Sequence, residues 1–328
     1  MAPRNIRNTQ KDLNPGNRLF VSFVYFVVPG IIRRLVFVFA VGASVCGFAA
    51  QPESHAVVIL AEIKATQSAL QKEFPQARFL AFWDFDGTLL KGDCSEGLIE
   101  NGKVIYPDLM QLGIERGLAS HYPASGGFAA FWQDYQTMDE RVGHWLAYPF
   151  LPQIFAGTPA DALAQLAEEH FASTLNRYYF ASSKYIFDGL AAAGVENHVI
   201  TASGEILVRG ASASLGLPAN RIHGIRVRVV NGILTSELIY PVTFAEGKRT
   251  RLLEILHETE AEIPNRPVFI LAAFGNSYST DSDFLAYTAK QSLPAGRAVA
   301  VMVNGGEEPE RYRGLFRRVD QNIVVGEP

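Results

Sequence analysis

Cysteine is nearly absent from the sequence. Two occur in 328 residues, Cys46 and Cys94, too few for a disulfide framework and equally at home in a reducing or an oxidising compartment. Nor is there an excess of basic charge. Lys and Arg number 29 against 33 Asp and Glu, a net charge of -4 with a sequence pI near 6.0. That excludes a broad polyanion-binding surface, so nucleic acid is not an expected partner. What the chain has in quantity is apolar: 48% of residues are hydrophobic, ample for one large domain or a domain carrying an insertion.

No uninterrupted apolar run crosses the N-terminal region. A polar, basic stretch over residues 1–18 reads as disordered. The block Leu19–Ile32 is broken by Pro29-Gly30, and a second block, Leu35–Ala50, follows Arg33-Arg34. Together the blocks are long enough to span a bilayer, but two arginines at the centre would be costly there. Arg33-Arg34 read better as the charged start of an export signal, with Leu35–Phe48 as its apolar segment. Gly47 and Ala49 then supply the small residues of a cleavage site before Ala50. Val45 sits where a lipoprotein signal at Cys46 would need a small residue. Residues 1–50 are therefore expected to be a disordered N-terminus and a signal peptide, and the mature protein to be periplasmic or secreted. A membrane anchor over 19–50 is the alternative, with transient or anchored membrane contact, and a cytosolic chain is the third reading. A start assigned too far upstream would account for the residues ahead of the signal.

After residue 50 the pattern alternates between helix and strand. Residues 53–74 carry Ile59, Ile63, Leu70 and Phe74 on one stripe of a helix that Pro75 ends. Arg78–Trp83 is a short apolar run of the kind buried on both faces of a sheet. From about Cys94 to Ala193 the texture turns helical and aromatic. Breaks fall at residues 123–127 and around Pro149 and Pro152, and Thr158 reads as a helix N-cap. Strand character returns at Glu196–Thr201. Ile225–Val230 and Ile233–Tyr240 flank Asn231-Gly232, a type I′ hairpin signal. A helix starts near Glu246, and Val268–Phe274 and Ala298–Val303 are further strands. The fold class expected is α/β: a Rossmann-like parallel sheet core from residues 51–94 and 191–328, with a helical cap inserted over 95–190. In such sheets ligands bind beyond the carboxyl ends of the strands. The polar clusters at 84–88, 201–205 and 275–281 all lie at such ends.

Asp84 and Asp86 sit two apart where a strand ends, so both side chains can point the same way. Two carboxylates there repel, and a hard divalent cation such as magnesium, which prefers oxygen ligands, would reconcile them. Asp84-Phe-Asp-Gly-Thr-Leu-Leu90 resembles the first motif of the haloacid dehalogenase superfamily, in its phosphatase branch. The resemblance implies that Asp84 attacks phosphorus and that Asp86 protonates the leaving group, then activates water. It implies a magnesium cofactor as well. Thr201 resembles the second motif, a hydroxyl for a phosphoryl oxygen, with the Ala202 N–H beside it and Ser203 as the competing hydroxyl. Lys248 resembles the third motif, with Arg249 as the alternative. Gly275-Asn276 through Asp281 resembles the fourth, which usually reads Gly-Asp followed by a second Asp. Here Asn276 replaces the first acid, so Asp84, Asp86, Asn276 and Asp281 are the expected metal residues, and Asp283 is a rival to Asp281.

An insertion between the first and second motifs is similar to the cap of the phosphoserine and phosphocholine phosphatase group. Asp93 and Glu96 stand where the chain passes into it and are candidates to meet a cationic substrate group, or simply an acidic helix start. Trp132 and Trp145 are candidates for an aromatic cage around a quaternary ammonium, against the alternatives of a cap core or a dimer contact. The activity expected is magnesium-dependent hydrolysis of a small phosphomonoester (phosphoserine-, phosphocholine- or phosphoethanolamine-like) through an aspartyl-phosphate. A phosphotransferase or mutase, or a degenerate module that only binds phosphorylated ligands, is the alternative.

Overall fold

Strand β1 (Arg78–Trp83) is the axis of the molecule, buried from Phe79 onward on both faces. The computed structural model describes residues 50–326, so the signal or anchor expected within residues 1–50 lies outside the described residues except for Ala50. Alternation along β1 assigns its side chains to two layers. Phe79, Ala81 and Trp83 join one apolar cluster, while Leu80 and Phe82 join the other. Helix α1 (Ser54–Glu73) packs on the first face through Ile59, Ile63 and Leu70. Trp83 stacks on Phe274 of the neighbouring strand at 3.7 Å between ring centroids.

The chain then leaves the sheet. A hairpin of β2 (Leu98–Glu100) and β3 (Lys103–Tyr106) precedes α2 (Leu109–Glu115), α3 (Gly127–Val142), α4 (His144–Gln153) and α5 (Ala160–Ser173). It returns through α6 (Ala181–Ala192) to β4 (Glu196–Gly204), followed by the single turns α7 (Glu205–Val208) and α8 (Ser212–Leu215). The hairpin β5 (Ile222–Val230) and β6 (Ile233–Ile239) comes next, then α9 (Glu246–Glu262), β7 (Val268–Gly275) and α10 (Ser282–Ala289). A two-residue ladder of β8 (Ser292–Leu293) and β9 (Gly296–Arg297) leads to β10 (Val299–Val303) and β11 (Arg317–Val319). The main sheet has seven strands in the order β11-β10-β7-β1-β4-β5-β6. All neighbours are parallel except β5 and β6. That pair turns through Asn231 (φ 51°) and Gly232 (φ 79°), the left-handed pair a type I′ turn needs. The α/β class and the parallel sheet agree with the sequence reading. Helices α9 and α10 cover the second face through Leu252, Ile255, Phe284 and Leu285.

Several local expectations are corrected. Residues 98–106 form a hairpin rather than helix. Pro149 and Pro152 lie inside α4 instead of ending it; their fixed φ is helical, and burial of both rings offsets the lost hydrogen bonds. Thr158 does not cap α5, since its hydroxyl donates to the Leu118 carbonyl. Strand β4 runs three residues past Thr201. The insertion closes near residue 180 rather than 190, because α6 belongs to the sheet layer. Gly189 lies so close to α1 that a Cβ there would meet Leu60 at 2.4 Å, and Gln67 donates to the Ala193 carbonyl at 2.8 Å. The helical insert shares its apolar interior with the sheet, Phe171 meeting Phe85 edge-on at 5.7 Å. Among the described residues no helix is long and apolar enough to cross a membrane.

Candidate active site

Strands β1, β4 and β7 lie side by side, so their carboxyl ends place Asp84, Thr201 and Gly275 around one cleft. The cleft is lined by Asp84, Asp86, Asp93, Glu96, Tyr148, Leu151, Thr201, Ala202, Ser203, Lys248, Asn276, Ser277 and Thr280 and encloses about 130 Å³. That is well below the range typical of drug-sized ligands, and it suits a phosphoryl group carrying a small alcohol.

Asp84 is buried, with Oδ1 accepting from Lys248 Nζ at 2.6 Å and Oδ2 from the Thr88 hydroxyl at 2.8 Å. Lys248, at the start of α9, is 1% exposed and donates equally to Asp281 Oδ1 at 2.6 Å. Burial works to lower the Lys248 pKa, but the charges of Asp281 and Asp84 outweigh it and the ammonium is held on. Burial, with the Asp281 charge adding to it, pushes the Asp84 carboxyl up to about 7, while Lys248 restrains the rise. Arg249, the alternative cation, is exposed and does not line the cleft.

Asp86 is held by different groups. Its Oδ1 accepts from Cys94 N–H at 2.8 Å and its Oδ2 from the Ser203 hydroxyl at 2.7 Å. Burial raises its pKa, and the Ser203 and Cys94 hydrogen bonds oppose that rise. Burial, and not a neighbouring carboxylate, is thus the main cause of the rise. The Thr201 hydroxyl lies 3.5 Å from Asp86 Oδ2 and accepts the Ser203 N–H at 3.1 Å. The ladder between β4 and β5 is interrupted between Ile200 and Gly204, and Thr201, Ala202 and Ser203 there line the cleft.

The fourth cluster departs from expectation. Asn276 lines the cleft, but Asp281 is fully buried behind Lys248. Its Oδ2 accepts from Asn276 N–H and Ser277 N–H, each at 2.9 Å, so in this arrangement Asp281 serves the lysine and the loop and does not line the cleft. It shapes the loop and anchors the lysine. Asp283, the rival, does not line the cleft either. Gly87 (φ 75°) lies beneath Asn276, and a Cβ there would come within 1.9 Å of Asn276 Nδ2.

On the cap side Asp93 and Glu96 do line the cleft. Asp93 accepts from the Ser95 and Glu96 N–H groups at 2.6 and 3.0 Å, and burial, then the Asp86 and Glu96 charges, push its pKa well up. Glu96 accepts from the Tyr135 hydroxyl. Trp132 and Trp145 are corrected. Trp132 packs within the cap against Tyr135 at 5.4 Å, and Trp145 is 51% exposed against Phe244 at 4.9 Å. The aromatic that lines the cleft is Tyr148. Thr88, Ser203 and Tyr148 are the residues sequence reasoning under-used. Thr88 lies within the first motif itself, four residues after Asp84. A signal for Tyr148 exists only as one aromatic among several.

No curated protein matches the chain. Among solved structures, a protein of unknown function from Bordetella pertussis Tohama I is similar at 18% identity and a TM-score of 0.55, over 74% of this chain and 99% of that one. A HAD family hydrolase from Salmonella enterica subsp. enterica serovar Typhi aligns at 14% identity and a TM-score of 0.44, over 79% and 76%. A probable phosphoserine phosphatase from Vibrio cholerae aligns at 13% and 0.43, over 75% and 61%. The first supports the fold; the other two are too distant to carry weight. The family model described as haloacid dehalogenase-like hydrolase matches residues 81–284, more than half of the chain and all four clusters of the cleft. The chain belongs to the haloacid dehalogenase-like hydrolase family, and Asp86, the second aspartate of its first motif, puts it with the phosphatases of that family.

Proposed function

We propose that the protein is a magnesium-dependent phosphomonoesterase whose leaving group is a small cationic alcohol of the phosphoethanolamine or phosphocholine kind. The observation that carries the substrate class is the charge of the cleft. Asp93 and Glu96 line it beside Tyr148, no arginine does, and Lys248 is the one cationic side chain among the lining residues. That lysine holds Asp84 and Asp281 with two of its three N–H donors, which leaves the third for the phosphoryl group and none for the leaving group. A leaving group with a carboxylate, such as that of phosphoserine, would find two acidic side chains, Asp93 and Glu96, and no free cation. An ammonium group would instead relieve Asp93 and Glu96, and Tyr148 offers it an aromatic face.

The chemistry follows from the same residues. Phosphoryl transfer depends on positioning and charge stabilisation. Asp84 attacks phosphorus in line, while Lys248, the Thr201 hydroxyl and the Ala202 N–H meet the phosphoryl oxygens. Asp86 gives its proton to the departing oxygen and takes one from the water that opens the aspartyl-phosphate. The donor set fits magnesium. The Asp84 carboxylate, the Asp86 carbonyl and the Asn276 amide oxygen are hard oxygen ligands at one cleft, and the Asp86 carbonyl accepts no hydrogen bond among the described residues. When bound, magnesium would supply positive charge to the phosphoryl oxygens and keep Asp84 ionised. A binding module without turnover is disfavoured, because binding alone needs neither a buried Asp84–Lys248 pair nor a separately held Asp86. Export to the periplasm belongs to this proposal on the strength of residues 33–50. Protein recovered from its host should begin near Ala50 or Gln51, and intact Met1 in a soluble cytosolic fraction would overturn that part.

The substrate reading is tested by phosphate release from phosphoethanolamine, phosphocholine, phosphoserine and sugar phosphates, with and without magnesium. The cationic esters should lead and magnesium should be required. Phosphoserine ahead of both would overturn the substrate class.

A further inference from the structure

We propose that Ser203 is a positioning residue that aims Asp86, an inference resting on the phosphatase reading above and adding a residue to it. Both oxygens of Asp86 are clamped, and by two contacts of different kinds. Oδ1 takes the Cys94 N–H at 2.8 Å, and Oδ2 takes the Ser203 hydroxyl at 2.7 Å. The Thr201 hydroxyl at 3.5 Å and the Cys94 thiol at 3.6 Å lie at the limit of contact with the same Oδ2. Among the described residues Ser203 is thus the one short side-chain contact that Asp86 has.

Ser203 is itself held. It is 6% exposed, its N–H is tied to Thr201 Oγ1 at 3.1 Å, and the Thr201 carbonyl accepts from the buried Thr243 at 2.6 Å. The break in the β4–β5 ladder between Ile200 and Gly204 is what brings the Ser203 hydroxyl round to the cleft. A hydroxyl committed at 2.7 Å to Asp86 is not free for a phosphoryl oxygen. This separates its role from that of Thr201, two residues earlier on the same strand. With the Cys94 amide alone, the carboxyl group could swing about its two side-chain torsions. The second clamp fixes the oxygen that must meet the leaving group, and small misplacements of a proton donor are costly in rate.

The test uses Ser203→Ala, Ser203→Thr, Asp86→Asn and the Ser203→Ala/Asp86→Asn pair. Each is assayed for kcat and KM on an alkyl phosphate and on p-nitrophenyl phosphate, with thermal melting to confirm folding. Ser203→Ala should lower kcat and kcat/KM on the alkyl ester by about tenfold or more with KM little changed, and lower kcat/KM on p-nitrophenyl phosphate by less than about threefold. The reason is that kcat/KM reports the step that expels the alcohol, where only the poor leaving group needs the aimed proton, while the water step is shared by both esters. Ser203→Thr, which keeps the hydroxyl, should recover most of the loss. In the Asp86→Asn background Ser203→Ala should cost nothing further. Equal losses of kcat/KM on the two esters, a loss confined to KM, or additivity with Asp86→Asn would mean that Ser203 packs the strand or holds phosphate, and would overturn the inference. No phosphate release by the wild type from either ester would instead bring down the phosphatase reading, and this inference with it.

Discussion

Lys248 Nζ stands 2.6 Å from Asp281 Oδ1, and the other oxygen of that aspartate receives the N–H groups of Asn276 and Ser277. One buried ion pair therefore ties the start of α9 to the loop after β7 and holds the lysine beside Asp84. Removing one member of such a pair leaves a buried charge unanswered, at a cost of about 3–5 kcal/mol. Lys248→Met should abolish turnover and leave Asp84 and Asp281 facing each other. Asp281→Asn should weaken folding and also mis-set Asn276, so that both stability and activity fall. Chemical denaturation with parallel phosphate-release assays checks this; a folded Asp281→Asn enzyme of wild-type activity would contradict it.

Gly87 supports Asn276 by lacking a side chain. Its φ of 75° and the 1.9 Å approach of Asn276 Nδ2 to a built Cβ make Gly87→Ala doubly unfavourable. The left-handed conformation costs about 1 kcal/mol for a non-glycine residue, and the clash adds to it. Adding Asn276→Gly to Gly87→Ala should recover the clash but not the conformational cost. Denaturant midpoints of the two single variants and the pair would show whether that non-additivity exists.

His198 and His223 stack at 5.7 Å inside the fold. Burial, with Arg221 and Arg251 respectively adding to it, lowers their pKa values to about 3 and about 2. Both are neutral when folded, whereas the unfolded histidines take up protons below about pH 6.5. Their contribution is full above that pH and is lost as pH falls from 6.5 toward 3, by up to about 2 kcal/mol per histidine at pH 5. His198→Leu should flatten the fall between pH 7.5 and 5 relative to wild type. The difference between the two stability curves isolates the histidine from carboxylates that titrate nearby, and parallel curves would refute the assignment.

Asp93 and Tyr148 should govern the substrate, and the two tryptophans should not. Asp93→Asn and Tyr148→Leu are expected to raise KM for a cationic phosphoester by about tenfold and for p-nitrophenyl phosphate by less than about twofold. Trp145→Ala, half exposed, should change neither. Trp132→Ala should cost about 1–3 kcal/mol of stability, less than a fully buried aromatic, with little change in selectivity. Selectivity that follows Trp132 or Trp145 would restore the aromatic-cage reading.

The parts of this molecule legible from sequence are those where chemistry and strand ends coincide. Asp84 and Asp86 follow a strand too apolar to lie anywhere but between two helical layers. Lys248 opens a helix whose dipole would prefer an anion, and Asn231-Gly232 announces its hairpin. The illegible parts depend on which way a side chain turns after packing. Asp281 is an acid near the metal region by sequence, yet the closing of residues 275–281 turns it inward to the lysine. Tyr148, Trp145 and Trp132 are equivalent aromatics on adjoining helices until α3 and α4 are packed, and only then does one line the cleft. Ser203 is two residues from Thr201 on a strand, and the ladder break that separates their partners leaves no composition signal.

The central claim is that Asp84 receives the phosphoryl group, and rapid acid quench of enzyme turning over a phosphomonoester tests it most directly. Mass analysis of the peptide containing Asp84 should show one added phosphoryl group on that residue. The adduct should persist longer in a variant slowed at the second step and be absent from Asp84→Asn, which should also release no phosphate. Sustained phosphate release with no adduct at Asp84, or an active Asp84→Asn enzyme, would contradict the account.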